Sequence, residues 1–198
     1  MSDKKLLLHT CCAPCGAYSA KFLGEAGYDV TYYFYNPNIF PQEEYQRRLE
    51  ELKRFAHDVN IPLIIENSNY DEWLEYVAGY ENEPERGKRC YLCYKIRLEK
   101  TAHKAKELKF DYFTTTLSIS PHKSYNMICE ISNELATECG ISYLDVNLKK
   151  KDGYKKSVEL SKQYGFYRQD YCGCEFSKIS RSPVSDWFLA HLIDENLK

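Results

Sequence analysis

The sequence predicts an α/β protein built on an open, doubly wound parallel sheet of about five strands, with helices on both faces. Three observations predict it. Strand-like and helix-like segments alternate along the chain, the pattern of repeated strand–helix–strand units. The strand-like runs number five, which suits an open sheet. The 198 residues hold no internal repeat, low-complexity stretch or clear linker, so residues 1–198 are expected to form a single domain.

The elements follow in order. Lys5 to His9 reads as a short buried strand. "GAYSAKFLGEAG" is a small-residue helix closed by Gly24 or Gly27. Tyr28 to Asn38 is an aromatic and β-branched second strand that stops at Asn-Pro-Asn. From Gln42 to Val59, Tyr45, Leu49, Leu52, Phe55, Ala56 and Val59 recur at helical spacing. "IPLIIEN" is the third strand and "YDEWLEYVAGY" a short amphipathic helix. The polar loop "ENEPERGKR" leads into a helix from Cys90 to Leu108, with Tyr91, Tyr94, Leu98, Ala102, Ala105 and Leu108 as its apolar stripe. "FDYFTTTLSIS" is the fourth strand, Met127 to Cys139 a helix, "ISYLDVNL" the fifth strand and Tyr154 to Tyr164 a helix. A cysteine-bearing loop and a C-terminal helix end the chain.

Composition narrows the function. A net charge of −2 provides no global basic field, so nucleic acid would have to meet a local patch. The N-terminal "MSDKKLLLHT" has only Leu6, Leu7 and Leu8 as consecutive apolar residues, too few for a signal peptide. No run approaches the ~20 apolar residues of a membrane span. The expected setting is the reducing cytoplasm, away from membranes. There, nine cysteines, an odd number, point to metal or redox chemistry rather than a disulfide framework.

Seven of those cysteines fall in three clusters: Cys11, Cys12 and Cys15; Cys90 and Cys93; Cys172 and Cys174. The first lies at the carboxyl end of strand one, where such sheets bind ligands. The second opens a helix, with both sulfurs on one side at i, i+3, and the helix N-terminus there favours thiolate. Adjacent Cys11 and Cys12 are not usual zinc spacing, and seven sulfurs exceed the four that one zinc needs. Spacing leaves an iron–sulfur cluster, a zinc site and a metal-free thiol relay open. Cys129 and Cys139 stand apart and read as buried, inert thiols. A phosphate-binding loop is excluded, because "CCAPCGA" after strand one carries a single glycine.

The blocks "LLLHTCCAPC", "YNPNIFPQEEYQRR", "ERGKRCYLCYKIRLEKTA", "FTTTLSISPHKS" and "YRQDYCGC" run in order from residue 6 to 174. Together they resemble the QueH-type epoxyqueuosine reductases. The resemblance implies a Rossmann-like fold similar to the adenine-nucleotide hydrolase-like (HUP) relatives, with cysteines where those relatives hold phosphate. It implies the last step of queuosine synthesis, in which the epoxide of epoxyqueuosine at the tRNA wobble position is reduced to the alkene. It also implies a 4Fe-4S cluster, no cobalamin, a tRNA partner carrying epoxyqueuosine, and an external electron donor.

Site expectations follow from the resemblance and the predicted topology. Cys11, Cys12, Cys90 and Cys93 are expected to bind the cluster. Cys172 and Cys174, with Cys15 as an alternative ligand, act beside it as a redox pair or as ligands of a second, mononuclear iron that polarises the epoxide oxygen. Asp145, at the carboxyl end of strand five, is the expected proton donor or second-iron ligand, with Asp170 as its rival. His9 is expected to be a buried structural imidazole. Tyr35, Asn36 and Asn38 after strand two, and Thr115, Thr116 and Ser120 after strand four, are expected to hydrogen-bond the extruded base. Lys149 and Lys150, in "KKKDGYKK", with Arg168 and the group Arg86, Lys88 and Arg89, form the expected phosphate-contacting rim. A zinc-stabilised RNA- or protein-binding module and a thiol–disulfide oxidoreductase are the competing classes.

Overall fold

The computed structural model describes residues 4–179. The C-terminal helix expected in the last part of the chain lies outside the described residues. Five parallel strands form one sheet: β1 (Lys4–His9), β2 (Tyr28–Phe34), β3 (Leu63–Ile65), β4 (Tyr112–Thr115) and β5 (Ser142–Tyr143). Their order is β3-β2-β1-β4-β5. The chain winds outward from β1 to β3, then crosses back to place β4 on the other side of β1. The winding reverses between β1 and β4, and the crevice beyond that pair is where an open sheet takes its ligand.

The helices are α1 (Ala13–Glu25), α2 (Gln42–Asp58), α3 (Tyr70–Tyr76), α4 (Lys88–Glu107), α5 (Tyr125–Cys139), α6 (Gly153–Gln163) and α7 (Glu175–Ile179). They cover both faces because strand side chains alternate. Leu6 and Leu8 of β1, with Val30, Tyr32 and Phe34 of β2, pack with Ala17, Ala20 and Leu23 of α1 and Leu52 and Phe55 of α2. The intervening Leu7 and Tyr33, with Phe113 of β4, pack on the other face with Leu98, Ala102 and Ala105 of α4 and Ile128, Ile131 and Leu135 of α5.

Every strand after the first is shorter than the sequence suggests: the second stops at Phe34 rather than Asn38, and the third keeps only Leu63–Ile65 of "IPLIIEN". The fourth ends at Thr115, where the Thr115 hydroxyl accepts from the Leu117 N–H and turns the chain into a 3-10 segment, Thr116–Ile119. The fifth keeps only Ser142 and Tyr143 in the ladder, paired with Tyr112 and Phe113. Asp145 therefore lies beyond the sheet.

α1 starts close under the sheet. Pro14 stands in its first turn, where a missing N–H costs nothing. A β-carbon on Gly16 would come within 2.9 Å of Thr10 Cγ2 and 3.3 Å of the Tyr32 ring. Glycine there lets the helix sit directly against the end of β1, which brings Cys11, Cys12 and Cys15 together over the switch point.

Candidate active site

Beyond the carboxyl ends of β1 and β4 lies an open cleft of about 240 Å³. Cys11, Cys15, Cys90, Cys93, Cys172 and Cys174 all line it, brought from the β1–α1 turn, the start of α4 and the loop before α7. Cys12 sits just behind, 1% exposed, with its sulfur 3.7 Å from that of Cys11. The sulfurs of Cys11, Cys12 and Cys15 all lie within 4.8 Å of one another. The other wall is a second grouping: Cys93 and Cys174 pack together with Trp73 and Val77, and Cys172, Cys174 and Cys90 are the thiols acting electrostatically on Cys93.

The three clustered thiols share one charge unequally. Hydrogen bonds from Cys12 and Cys15 hold the Cys11 thiol well below its ordinary range. Those same bonds push Cys12 up to about 12 and raise Cys15. On the other wall burial raises Cys90 and takes Cys93 up to about 12, the direction opposite to the one that the start of α4 favours.

Buried cations face these sulfurs. Arg97, 1% exposed, donates through Nη2 to Cys93 Sγ at 3.2 Å and through Nε to the Cys93 carbonyl at 2.8 Å. Arg48, also 1% exposed, is paired with Glu44 at 2.6 Å and donates to the Cys172 carbonyl at 3.2 Å. Gln169 Nε2 donates to Cys12 Sγ at 3.1 Å, and the Arg86 N–H to Cys90 Sγ at 3.3 Å. Lys123 lines the cleft, and although burial opposes its ammonium, the thiols of Cys172, Cys11 and Cys15 raise its pKa. Thiolate sulfurs with N–H donors and compensating cations are what an anionic, thiolate-ligated metal centre requires, so the donor set fits an iron–sulfur group.

The CGC turn has its own geometry. Gly173 adopts φ +132°, and a β-carbon there would lie 3.2 Å from Arg48 Nη1 and from Asn38 Nδ2. Its carbonyl accepts the Phe40 N–H at 2.9 Å. The turn is thereby bound to the segment after β2, with Cys172 and Cys174 facing the cleft.

The expected site residues divide. Asn38, Ser120, Arg168 and Asp170 line the cleft. Asn38 is 1% exposed and its Oδ1 has no hydrogen-bond partner among the described residues. Tyr35 does not reach the cleft but stacks on Tyr33 in the core. Asn36 is fully buried and donates to the Thr10 carbonyl at 3.0 Å, bracing the first cysteine turn. Thr115 is hydrogen-bonded to His9 Nδ1 at 2.9 Å, and Thr116 Oγ1 lies 3.7 Å from Cys11 Sγ. These four residues support the floor rather than face a base.

His9 is fully buried, with Nε2 on the Tyr35 carbonyl at 3.2 Å, and burial depresses its pKa to about 4. Asp145 stands outside the cleft. Because β5 ends two residues before it, its carboxylate turns to α5 and accepts from the hydroxyl of Tyr125 and from Cys129 Sγ. Cys129 and Cys139 are half-buried rather than buried, the latter beside His103. Lys149 donates its Nζ to the Lys123 carbonyl at 3.0 Å, and Lys150 lines a separate small groove with Tyr18 and Phe22. Arg86 and Arg89 spend donors on carbonyls: Arg86 on Pro121 and His122, Arg89 on Tyr80, Glu81 and Glu83. Lys88 sits over the Tyr80 ring.

Sequence reasoning missed Arg48, Arg97, Lys123 and Gln169. A detectable signal existed for the arginines, since Arg97 lies three residues after Tyr94, and Arg48 three after Tyr45 and four before Leu52, on the apolar side of each helix. A charge placed there is buried, and a buried charge needs a partner.

The model of the family "Epoxyqueuosine reductase QueH" matches residues 6–180. Among curated proteins, an epoxyqueuosine reductase QueH from Histophilus somni is 43% identical over 174 residues, covering 87% of this chain and 72% of its own length. One from Streptococcus pyogenes is 40% identical over 178 residues, covering 87% and 69%. One from Thermotoga maritima is 35% identical over 179 residues, covering 89% and 91%. A crystal structure titled as a predicted tRNA methyltransferase subunit from Methanocaldococcus jannaschii superposes with a TM-score of 0.53 at 15% identity, over 79% of this chain and 74% of that one. The last likeness concerns the fold alone.

Proposed function

This chain belongs to the epoxyqueuosine reductase QueH family, and on that premise we propose that its thiol-lined cleft is where the epoxide of epoxyqueuosine in tRNA is reduced to the alkene of queuosine. The chain is an oxidoreductase of queuosine biosynthesis, and a non-catalytic zinc module is not favoured. The observation that carries the reading is the convergence of all three cysteine clusters on one cleft at the switch point of the sheet.

The thiols divide between two metal sites. Two thiolates on one tetrahedral metal, at ~2.3 Å each, lie about 3.8 Å apart. The 3.7 Å between Cys11 and Cys12 matches a single ion, with Cys15 as third ligand. Cys90, Cys93, Cys172 and Cys174, grouped on the facing wall, then hold the 4Fe-4S cluster. This ligand set differs from the one expected from the resemblance and the predicted topology, which put Cys11 and Cys12 on the cluster with Cys90 and Cys93.

When bound, the cluster supplies electrons singly and the second iron supplies Lewis acidity. The chain's own residues do the rest. Asn38 Oδ1 and Gln169 Oε1, both buried without a partner among the described residues, are acceptors for the hydroxyl or amine groups of the extruded nucleoside. Arg168 and the exposed Tyr154, also on the lining, meet the RNA at the rim. Asp170, at the rim beside the CGC turn, is placed to deliver protons; it takes the role expected of Asp145. No helix of the described residues is long and apolar enough to cross a membrane, and a tRNA substrate suits the cytoplasm.

The test is anaerobic incubation of iron-loaded protein with epoxyqueuosine-containing tRNA and dithionite, followed by nucleoside mass spectrometry. Queuosine should replace epoxyqueuosine. No conversion by protein with full iron and sulfide overturns the reading.

A further inference from the structure

The roles assigned so far give Lys123 no task toward the substrate. It lies in "SPHKS", just beyond the 3-10 segment that follows β4, and its side chain lines the cleft. Its backbone is held from two directions. Arg86 donates through Nε to the His122 carbonyl at 3.0 Å and through Nη2 to the Pro121 carbonyl at 3.0 Å. Lys149 donates to the carbonyl of Lys123 itself at 3.0 Å. Two cations spent on three consecutive carbonyls hold the backbone from which a third extends.

The other cations near the thiols are committed. Arg97 is bonded to Cys93 through both Nε and Nη2, and Arg48 to Glu44 and Cys172. Arg89 serves three backbone carbonyls. Lys123 forms no salt bridge with a carboxylate among the described residues. Its electrostatic neighbours are Cys172, Cys11 and Cys15, with Arg97 opposing. These thiols come from both walls of the cleft, so the ammonium faces the place where their chemistry meets. An ammonium there, with no carboxylate to neutralise it, is open to a ligand oxygen.

We propose that Lys123 is a catalytic residue of the reduction, its ammonium hydrogen-bonding the epoxide oxygen and stabilising the negative charge that grows there as the first C–O bond breaks. The proposal rests on the reductase reading of the cleft. In the full reaction both C–O bonds break, the two ring carbons take up two electrons and form the C=C bond, and the oxygen takes up two protons and leaves as water. The electrons come singly from an external low-potential reductant, and the protons from water by way of the rim. Lys123 transfers no electron. It supplies a fixed positive charge at the oxygen, which needs no reorganisation when that charge develops.

The test compares wild type with Lys123→Met, which keeps the stem and removes the charge. Iron, sulfide and affinity for epoxyqueuosine-containing tRNA are measured before turnover with dithionite. The Met variant should hold iron and tRNA as wild type does and turn over about 10²–10³-fold more slowly, the loss typical of one such donor. Turnover within threefold of wild type overturns the proposal. Loss of iron also overturns it, since Lys123 would then serve the thiolates and not the substrate. Where the variant fails to fold, lysine acetylation of the loaded wild-type protein, mapped by mass spectrometry, replaces it. Epoxyqueuosine-containing tRNA should shield Lys123 more than the same tRNA with guanosine at the wobble position, and equal labelling overturns the proposal. A wild type that converts no substrate at all condemns the reductase reading instead.

Discussion

The guanidinium of Arg97 grips Cys93 twice, through Nη2 to the sulfur at 3.2 Å and through Nε to the carbonyl at 2.8 Å. Both residues are buried, so the charge and the donor act on the sulfur with little screening. A metal ligated by such a sulfur is easier to reduce, because the donor draws electron density from it. Arg97→Met should therefore lower the midpoint potential of the iron centre by about 60 mV or more, equivalent to a tenfold change for one electron. Arg97→Lys should fall between. A redox titration followed by electron paramagnetic resonance, on samples matched for iron, checks this. An unchanged potential in the Met variant would leave Arg97 a purely structural role.

The two walls of the cleft make separable predictions. Cys90→Ser, Cys93→Ser, Cys172→Ser and Cys174→Ser should each lose most of the cluster absorbance and the sulfide. Cys11→Ser, Cys12→Ser and Cys15→Ser should keep sulfide and the visible band, lose about one iron per chain, and lose turnover. Iron and sulfide analysis with an absorbance spectrum of all seven decides it. Loss of sulfide in the Cys11 and Cys12 variants would return those residues to the cluster, as their position in the chain first suggests.

Much of this was legible in the sequence, for identifiable reasons. Alternating strand and helix signals placed the first cysteines at the end of β1, and the sheet order carries them to the switch point. The end of the fifth strand was not legible. "ISYLDVNL" has a strand's composition, yet β5 lies at the sheet edge and keeps two residues in register, so Asp145 falls outside. Nor were the arginine and lysine roles. "KKKDGYKK" and "ERGKR" look like solvated charge, and only the fold shows Lys149 and Arg86 donating to carbonyls far along the chain and Arg89 to those of the loop before it. Composition reports charge; it does not report which backbone group a long side chain will reach.

Asp145 gives a prediction by its displacement. Its carboxylate ties Tyr125 and Cys129 of α5 to the segment after β5, away from the thiols. Asp145→Asn keeps one acceptor oxygen for those donors, so iron content and turnover should stay within about threefold of wild type, with at most a slightly lower melting temperature. A loss of turnover as deep as that of a cysteine variant, with iron intact, would restore Asp145 to the chemistry.

His9 sets a pH limit on the fold. It sits at the end of β1 with Nδ1 on Thr115 and Nε2 on the Tyr35 carbonyl, and burial lowers its pKa from 6.5 to about 4. Above pH 6.5 the imidazole is neutral in both folded and unfolded chains and contributes no pH dependence. Between pH 6.5 and 4 the unfolded chain binds a proton that the folded one refuses, so stability falls as pH falls. From pH 7 to pH 5 the loss assigned to this group is about 2 kcal/mol. The thiols also titrate, but they do so equally in a His9→Asn variant, whose side chain is uncharged throughout. Urea unfolding of both proteins at pH 7 and pH 5 isolates the imidazole. Wild type should lose about 2 kcal/mol more than the variant over that interval. Equal losses would mean that His9 takes up its proton without unfolding, and that the floor beneath the first cysteines tolerates a charge.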